Sequence, residues 1–231
     1  MAEANPLWGA PRIHGELLKL GIEISERTIS RLMPKRRKPP SQTWKAFLEN
    51  HMNELISINF FTVPTATFRV LFVMVVLAHH RRRVLHFNVT EHPTALWTGQ
   101  QMVEAFPEDT APRYLLRDRD KIYGREFCQR IRSLSIEEVL SAPASPWQGA
   151  YVERLIGSIR RDCLDHVIIL GERHLRAILK SYLDYYHRSR THLGLSKDTP
   201  QPRAVQPPEL GAVVGLPQVG GLHHRYERRV A

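Results

Sequence analysis

Two isolated acidic residues occupy positions where a metal-dependent site could form. Asp118 follows a short predicted strand at residues 114–117, and Glu153 lies near the start of a predicted helix. Phosphoryl transfer on DNA takes no covalent nucleophile from the protein; it uses two divalent cations about 4 Å apart, which converging carboxylates hold. The two acids are therefore candidate ligands. Each also has an ordinary explanation, because an Asp after a strand is commonly a turn residue and a Glu in a first helical turn favours the helix dipole.

The charge balance favours a polyanionic partner. The 231 residues contain 33 Lys and Arg against 23 Asp and Glu, which gives a net charge of +10 at pH 7. Basic side chains that neutralise phosphates release condensed counterions, so this excess is typical of nucleic-acid-binding proteins. Charge alone is also compatible with a soluble protein that happens to be basic.

Cysteine content and apolar runs predict a cytoplasmic protein with no membrane contact, and action on DNA would make it nucleoid-associated. Cys128 and Cys163 are too few for a disulfide framework or a four-cysteine zinc site. Residues 1–20 lack the apolar stretch of a signal peptide. The longest apolar run, residues 70–78, is far shorter than the roughly 20 residues that a membrane span requires.

Residues 1–34 are interpreted as a partial helix-turn-helix region. Apolar side chains recur at helical spacing on both sides of Gly21, and Ser25 is a plausible N-cap for the second helix. The second helix of such a pair can enter a DNA groove, so Arg27 and Arg31 are candidate DNA contacts. Residues 35–51 are predicted to be a basic linker and a short helix. The linker carries four candidate phosphate contacts: Lys35, Arg36, Arg37 and Lys38.

The pattern from residue 52 to 190 predicts an α/β domain. Residues 55–63, 68–78 and 84–90 read as three strands with tight links, which favours an antiparallel meander. A helix at 94–106, a strand at 114–117, a helix at 124–134 and a strand at 136–140 follow, and then helices at 148–166 and 172–187. This order predicts a mixed sheet flanked by helices, of the ribonuclease-H-like kind.

At these motifs the chain resembles the integrase core domain of insertion-sequence transposases and retroviral integrases. The resemblance covers residues 56–195. Asp118 and Glu153 are separated by 34 residues (119 to 152), which matches the family's spacing, and Ser145-Pro146-Trp147-Gln148 resembles its approach to the catalytic helix. Residues 186–192 resemble the Tyr-Asn-x-x-Arg-Pro-His stretch that closes such domains.

The resemblance implies roles for several residues. Asp118 and Glu153 would be catalytic and would hold Mg²⁺, with Mn²⁺ as a substitute. The family usually carries a Lys or Arg seven residues after the Glu, and Arg160 has that position. Arg154 and Arg161 would also meet DNA. Partners would be the ends and target of a mobile element, and the working protein would be a homo-oligomer.

Position 59 departs from the family pattern. The first-strand Asp should stand here, but the residue is Asn59, and its amide offers one neutral oxygen instead of a carboxylate. The affinity for divalent cations should fall, because the site loses one negative charge. Glu54 should face the opposite side of the strand, whereas Asp120 could shift inward. We therefore expect a protein that keeps the fold and DNA affinity but has much weaker strand transfer.

The two ends of the chain carry further expectations. The chain begins almost directly at the last DNA-binding helices, which suggests a shortened, decayed or regulatory copy, or a misplaced start. Residues 191–231 are Pro-rich and basic, and we expect an extended or loosely packed tail there.

Two other functions remain open at this point. One is a non-catalytic DNA-binding relative that occupies transposon ends or inhibits active oligomers. The other is a ribonuclease or repair nuclease of the same fold, which leaves the helix-turn-helix unexplained.

Overall fold

The computed structural model describes residues 1, 9–33, 44–107, 110–143 and 145–230. The chain divides into two compact units, Met1–Phe47 and Leu48–Ala231. The four basic linker positions, Lys35, Arg36, Arg37 and Lys38, lie outside the described residues.

The first unit contains the predicted helical pair. Helices α1 (Ala10–Lys19) and α2 (Glu26–Leu32) pack together, and each contributes one buried isoleucine to their contact. The Ser25 hydroxyl accepts a hydrogen bond from the backbone N–H of Thr28 at 3.2 Å, which is the predicted N-cap. Leu20 and Leu32 belong to the apolar patterns on either side of Gly21, but both side chains are exposed. The short helix α3 (Trp44–His51) follows.

A five-stranded mixed sheet forms the centre of the second unit. Its strands are β1 (Leu55–Pro64), β2 (Val70–Ala78), β3 (Arg83–Thr90), β4 (Tyr114–Arg117) and β5 (Glu137–Leu140). Their order is β3-β2-β1-β4-β5. The first three strands pair antiparallel, which confirms the predicted meander, and β4 pairs parallel to both β1 and β5.

Helices cover both faces of the sheet because its central strands are apolar on both sides. Helices α4 (Ala95–Ala105) and α5 (Arg125–Ser133) pack on the face that carries Ile56, Ile58 and Met74. Helices α6 (Ala150–Asp162) and α7 (Glu172–Arg188) pack on the opposite face. β2 is buried along most of its length, which explains its continuous apolar sequence. The predicted sheet flanked by helices is confirmed.

Two predicted elements differ from the structure. The strand predicted from residue 68 begins at Val70, because Thr65 closes a tight turn in which its hydroxyl accepts from the N–H of Arg69 at 3.0 Å. Phe68 lies in that turn with a φ of 61° and is 95% exposed. The single helix predicted at 148–166 is interrupted at Gly149 and Cys163, so that α6 is flanked by two short 3₁₀ turns.

The expectation of a loosely packed C-terminal tail is wrong for its last part. Strands β6 (Ala212–Gln218) and β7 (His223–Arg229) pair antiparallel as a hairpin. The His223 ring stacks on Tyr185 of α7, with centroids 4.5 Å apart and planes 5° apart. Packing against α7 therefore orders the segment, which its proline content does not reveal. Among the described residues, no helix is both long enough and apolar enough to cross a membrane.

Candidate active site

A pocket of about 380 Å³ lies where β1 and β4 meet the start of α6. Its lining includes Asn59, Asp118 and Glu153, the three positions that the sequence singled out. The pocket is thus built from two strands and one helix that are distant in sequence. The fold therefore brings the candidate ligands together in one pocket.

Strand register explains why Asn59 and Asp118 meet. In the parallel pair, Ser57 of β1 lies beside Leu116 of β4. Asn59 and Asp118 each follow two residues later, so both point to the same face of the sheet. Neighbouring strands lie about 4.8 Å apart, which sets the approximate separation of the two backbones. The face in question is the one that α6 covers.

The packing of α6 brings Glu153 to the same place. Val152, Leu155 and Ile159 are buried between α6 and the sheet. Glu153 follows the buried Val152 in the first turn, so its carboxylate stands exposed at the pocket. Its backbone N–H donates to the carbonyl of Gly149 at 3.1 Å. The helix dipole also favours an acid here, and this contribution exists with or without a metal.

The donor set does not fit a pair of divalent cations. The half-buried Asn59 is neutral, and its Oδ1 already accepts a hydrogen bond from the backbone N–H of Phe60 at 2.7 Å. Asp118 and Glu153 supply the two carboxylates of the pocket. Within the described part of the chain, no cluster of three or more His, Cys, Asp or Glu side chains is arranged to hold a metal ion. Two carboxylates and one engaged amide leave the pocket short of hard-cation ligands.

Neighbouring acids do not replace the missing carboxylate. Asp120 is outside the pocket lining, and its Oδ1 accepts from the N–H of Ile122 at 2.9 Å. The Asp118 carboxylate itself accepts from the N–H of Asp120 at 3.0 Å. Glu54 lines a different pocket and pairs with Arg113 at 3.8 Å, which agrees with the opposite orientation expected for it. The inward shift considered for Asp120 is therefore not seen.

Two arginines beside Asp118 were missed by the sequence analysis. Arg117 is buried, its Nε donates to Glu138 Oε2 at 2.6 Å, and its Nη1 donates to the carbonyl of Asp118 at 3.0 Å. Arg119 is exposed and lines the pocket, where its Nε donates to the carbonyl of Ser141 at 3.2 Å. Its position directly after Asp118 was the available signal. Arg117 thus holds the end of β4, and Arg119 places a cation at the pocket.

The arginines predicted to contact DNA differ in their local roles. Arg160 lies two turns beyond Glu153 on α6, and its Nη2 donates to the Thr62 carbonyl at 3.1 Å while its guanidinium covers Phe61. Arg160 therefore also ties α6 to β1, a contact not anticipated from the sequence. The four other predicted contacts on described helices are exposed: Arg27, Arg31, Arg154 and Arg161.

A buried Ser–His pair lies below the pocket. Ser57 lines the pocket, and its Oγ lies 2.5 Å from Nε2 of His79. The His79 ring packs against Tyr151 of α6, with centroids 4.8 Å apart. Burial lowers the pKa of His79 to about 4, so the ring is neutral near pH 7. Ser57 is 1% exposed and His79 is equally buried, which makes this pair part of the pocket floor.

The low pKa of His79 predicts a loss of stability in acid. The unfolded ring titrates near 6.5 and the folded ring near 4, so the stability present above pH 6.5 falls as the pH drops towards 4. For this ring the loss should reach about 2 kcal/mol at pH 5. Burial also lowers the pKa of His192 to about 4, and that ring acts in the same direction.

Denaturant unfolding at pH 7.5 and pH 5.0 would measure this effect. We expect the wild-type chain to lose stability in acid and His79→Gln to lose about 2 kcal/mol less, because an amide does not titrate in this range. Equal acid sensitivity of the two proteins would contradict the assignment of the loss to His79.

Comparisons with known proteins agree with this architecture. A family model described as "Integrase core domain" matches residues 134–200. The "Insertion element IS476 uncharacterized 39.2 kDa protein" of Xanthomonas euvesicatoria is 22% identical over 211 residues, which cover 87% of this chain and 61% of the relative. The chain thus spans less than two thirds of that relative's length.

Two solved structures have a similar fold. One is a chain of the simian T-cell lymphotropic virus intasome in complex with PP2A regulatory subunit B56 gamma. The match has a TM-score of 0.53 at 13% sequence identity, and it covers 94% of this chain and 86% of the intasome chain. The other is the catalytic domain of Mos1 mariner transposase, with a TM-score of 0.52 at 14% identity over 61% of this chain and 77% of that one. The chain is thus similar to an integrase core domain over residues 134–200, and it shares the mixed α/β fold of these two solved structures.

Proposed function

We propose that this chain acts on mobile-element DNA as an integrase-type protein of integration and recombination, with strand transfer impaired by Asn59. One observation carries the proposal: Asn59, Asp118 and Glu153 line one pocket where β1 and β4 meet the start of α6. The insertion-element relative supports mobile-element DNA as the substrate class.

The impairment follows from the ligands that remain. Paired Mg²⁺ or Mn²⁺ ions, when bound in sites of this class, activate the attacking oxygen and stabilise the leaving oxygen. Asp118 and Glu153 are the residues proposed to hold an ion. With Asn59 the site has one negative charge fewer than it would have with Asp. The amide oxygen of Asn59 also accepts a hydrogen bond from the chain's own backbone. Divalent-ion affinity therefore falls, because it depends on ligand charge and number.

DNA binding does not depend on the lost carboxylate. Arg154 and Arg161 stand exposed on α6, and Arg119 places a cation at the pocket itself. Such side chains suit phosphate contacts, which supply affinity without reading sequence. We include a homo-oligomer in the proposal, because joining paired DNA ends takes more than one active site.

Nicking of supercoiled plasmid in Mn²⁺ tests the proposed chemistry without knowledge of the DNA ends. Wild type, Asn59→Asp and the double variant Asn59→Asp/Glu153→Gln would be compared at equal concentration. We expect Asn59→Asp to nick faster than wild type by at least the roughly 10–100-fold that loss of an outer-shell metal partner costs. The double variant should return to the wild-type rate.

Two outcomes would contradict the proposal. Nicking by wild type at the rate of Asn59→Asp would show that Asn59 does not impair the chemistry. Undiminished activity in the double variant would place the chemistry outside the pocket.

A second candidate is a non-catalytic DNA-binding protein that occupies mobile-element ends or blocks active oligomers. The engaged amide of Asn59 favours it, because the pocket then lacks a third metal ligand. Retained DNA binding with no metal-dependent nicking by wild type would support this candidate.

A further inference from the structure

The C-terminal hairpin forms one side of a groove that the active site does not use. The groove has a volume of about 480 Å³ and lies between the hairpin and residues 191–206. Its described lining shares no residue with the active-site pocket. The side chains of the groove combine positive charge with one exposed aromatic ring.

Tyr226 supplies that ring. It is 63% exposed, and its cross-strand partner in the hairpin is Gly215. A Cβ on residue 215 would lie only 3.3 Å from Cε1 of Tyr226, so the glycine lets the ring lie close against the neighbouring strand. One edge of the ring thus lies close to the backbone of β6, and the residue keeps most of its surface open to solvent. An aromatic ring held in this way is a platform for a planar ligand group.

The acids of the groove are already neutralised. Asp198 accepts from Thr199 N–H at 2.7 Å and pairs with Arg81 at 2.6 Å, and these contacts lower the pKa of its carboxyl. Glu227 pairs with Arg229 at 2.7 Å and lies 3.4 Å from Arg225. Neither acid therefore repels an incoming anion as strongly as a free carboxylate would.

Cations remain available along the same groove. Lys197 and Arg203 are exposed, and within the described part of the chain neither side chain has an ion pair. Arg228 donates from Nη1 to the Gly211 carbonyl at 2.9 Å, which fixes its guanidinium at the edge of the groove. The described lining of the groove holds four cationic side chains against two acids, so its surplus charge is positive.

We infer that this groove binds an unpaired stretch of DNA, with phosphates on Lys197, Arg203 and Arg228 and a base stacked on Tyr226. Every base has a flat face, but in a duplex both faces are covered by neighbouring bases. The exposed ring therefore fits a strand with unpaired bases, such as a frayed or processed end, better than an intact duplex. This inference rests on the proposed action on DNA and adds a second contact to it.

Fluorescence anisotropy with the full chain tests the inference. The probes are a single strand of about 20 nucleotides, longer than the roughly 4–16 that one such site covers, and a blunt duplex of equal length. Tyr226→Ala should weaken single-strand binding about 10-fold, and Tyr226→Phe should leave it within about 2-fold, because the ring remains. Lys197→Ala/Arg203→Ala should lower the slope of log affinity against log salt by about 1–2.

The control is Phe68→Ala, which removes a 95% exposed ring outside the groove. It should leave both affinities unchanged. Equal single-strand binding by Tyr226→Ala and wild type would overturn the inference, as would equal losses in Tyr226→Ala and Phe68→Ala. Displacement of the single strand by a poly-glutamate peptide but not by unlabelled single strand would mark a protein partner instead.

Failure of this inference is distinguishable from failure of the proposed function. If duplex binding and Mn²⁺-dependent nicking by Asn59→Asp persist without any effect of Tyr226→Ala, the groove assignment alone is wrong. If neither duplex nor single strand binds, the proposed action on DNA is wrong as well.

Discussion

The Asn59→Asp variant is expected to be stabilised by Mn²⁺, whereas the wild-type chain should respond little. A ligand that binds only the folded state raises stability by RT ln(1 + [L]/Kd), about 2.7 kcal/mol at a hundredfold excess over Kd. For a chain of this length that corresponds to a rise in Tm of roughly 5–10 °C. Without metal, the variant should melt below wild type, because the introduced carboxylate would add a third negative charge beside Asp118 and Glu153.

Thermal unfolding against increasing Mn²⁺ measures the effect. Asn53→Asp is a matched control, since it makes the same chemical change at an exposed position outside the active-site pocket. Equal stabilisation of wild type and Asn59→Asp would show that the amide is an adequate metal ligand. The proposal that Asn59 impairs strand transfer would then be wrong. If neither responds, with or without DNA present, the assignment of Asp118 and Glu153 as ligands fails.

Asp162→Ala is expected to cause a large loss of stability, although Asp162 lies outside the active-site pocket. Asp162 Oδ2 accepts from Arg190 Nε at 3.0 Å and from the Tyr182 hydroxyl at 3.2 Å, and its carbonyl accepts from His223 Nε2 at 2.7 Å. The residue thus joins the end of α6 to α7 and to the hairpin. Arg190 belongs to the segment whose sequence resembles the family's closing motif.

Removing the carboxylate leaves two donors without their acceptor. Tyr182 is fully buried, and burial raises the pKa of its phenol, so the hydroxyl stays a neutral donor that needs a partner. We expect a loss of about 2–3 kcal/mol, below the roughly 3–5 of a fully buried pair. The expected loss is smaller than for a fully buried pair because both side chains are partly exposed, Asp162 by 23% and Arg190 by 27%.

Denaturant unfolding of Asp162→Ala, Asp162→Asn and Asp165→Ala would check this prediction. Asp162→Asn should be intermediate, because the amide keeps one acceptor oxygen. Asp165 is exposed on the short turn after α6, so its replacement should stay within about 0.5 kcal/mol of wild type. Similar losses for Asp162→Ala and Asp165→Ala would refute the role of Asp162.

Local patterns were sufficient for most of the core, because its strands and helices differ in apolar periodicity. The continuous apolar run of β2 indicated a strand covered on both faces, and its burial agrees. The patterns were insufficient at turns and caps, where one side chain decides the boundary. Thr65 closes the turn that delays β2, and Gly149 separates α6 from the preceding residues.

By itself, the sequence determined which residue types are available: two carboxylates at the family's spacing, an amide at position 59, and an excess of basic side chains. These follow from residue identity and local periodicity. Only the tertiary structure decided which of them meet, because the parallel pairing of β1 with β4 and the packing of α6 join positions distant in sequence. It also placed Arg119 at the pocket and ordered the Pro-rich end as a hairpin, since both depend on contacts between distant segments.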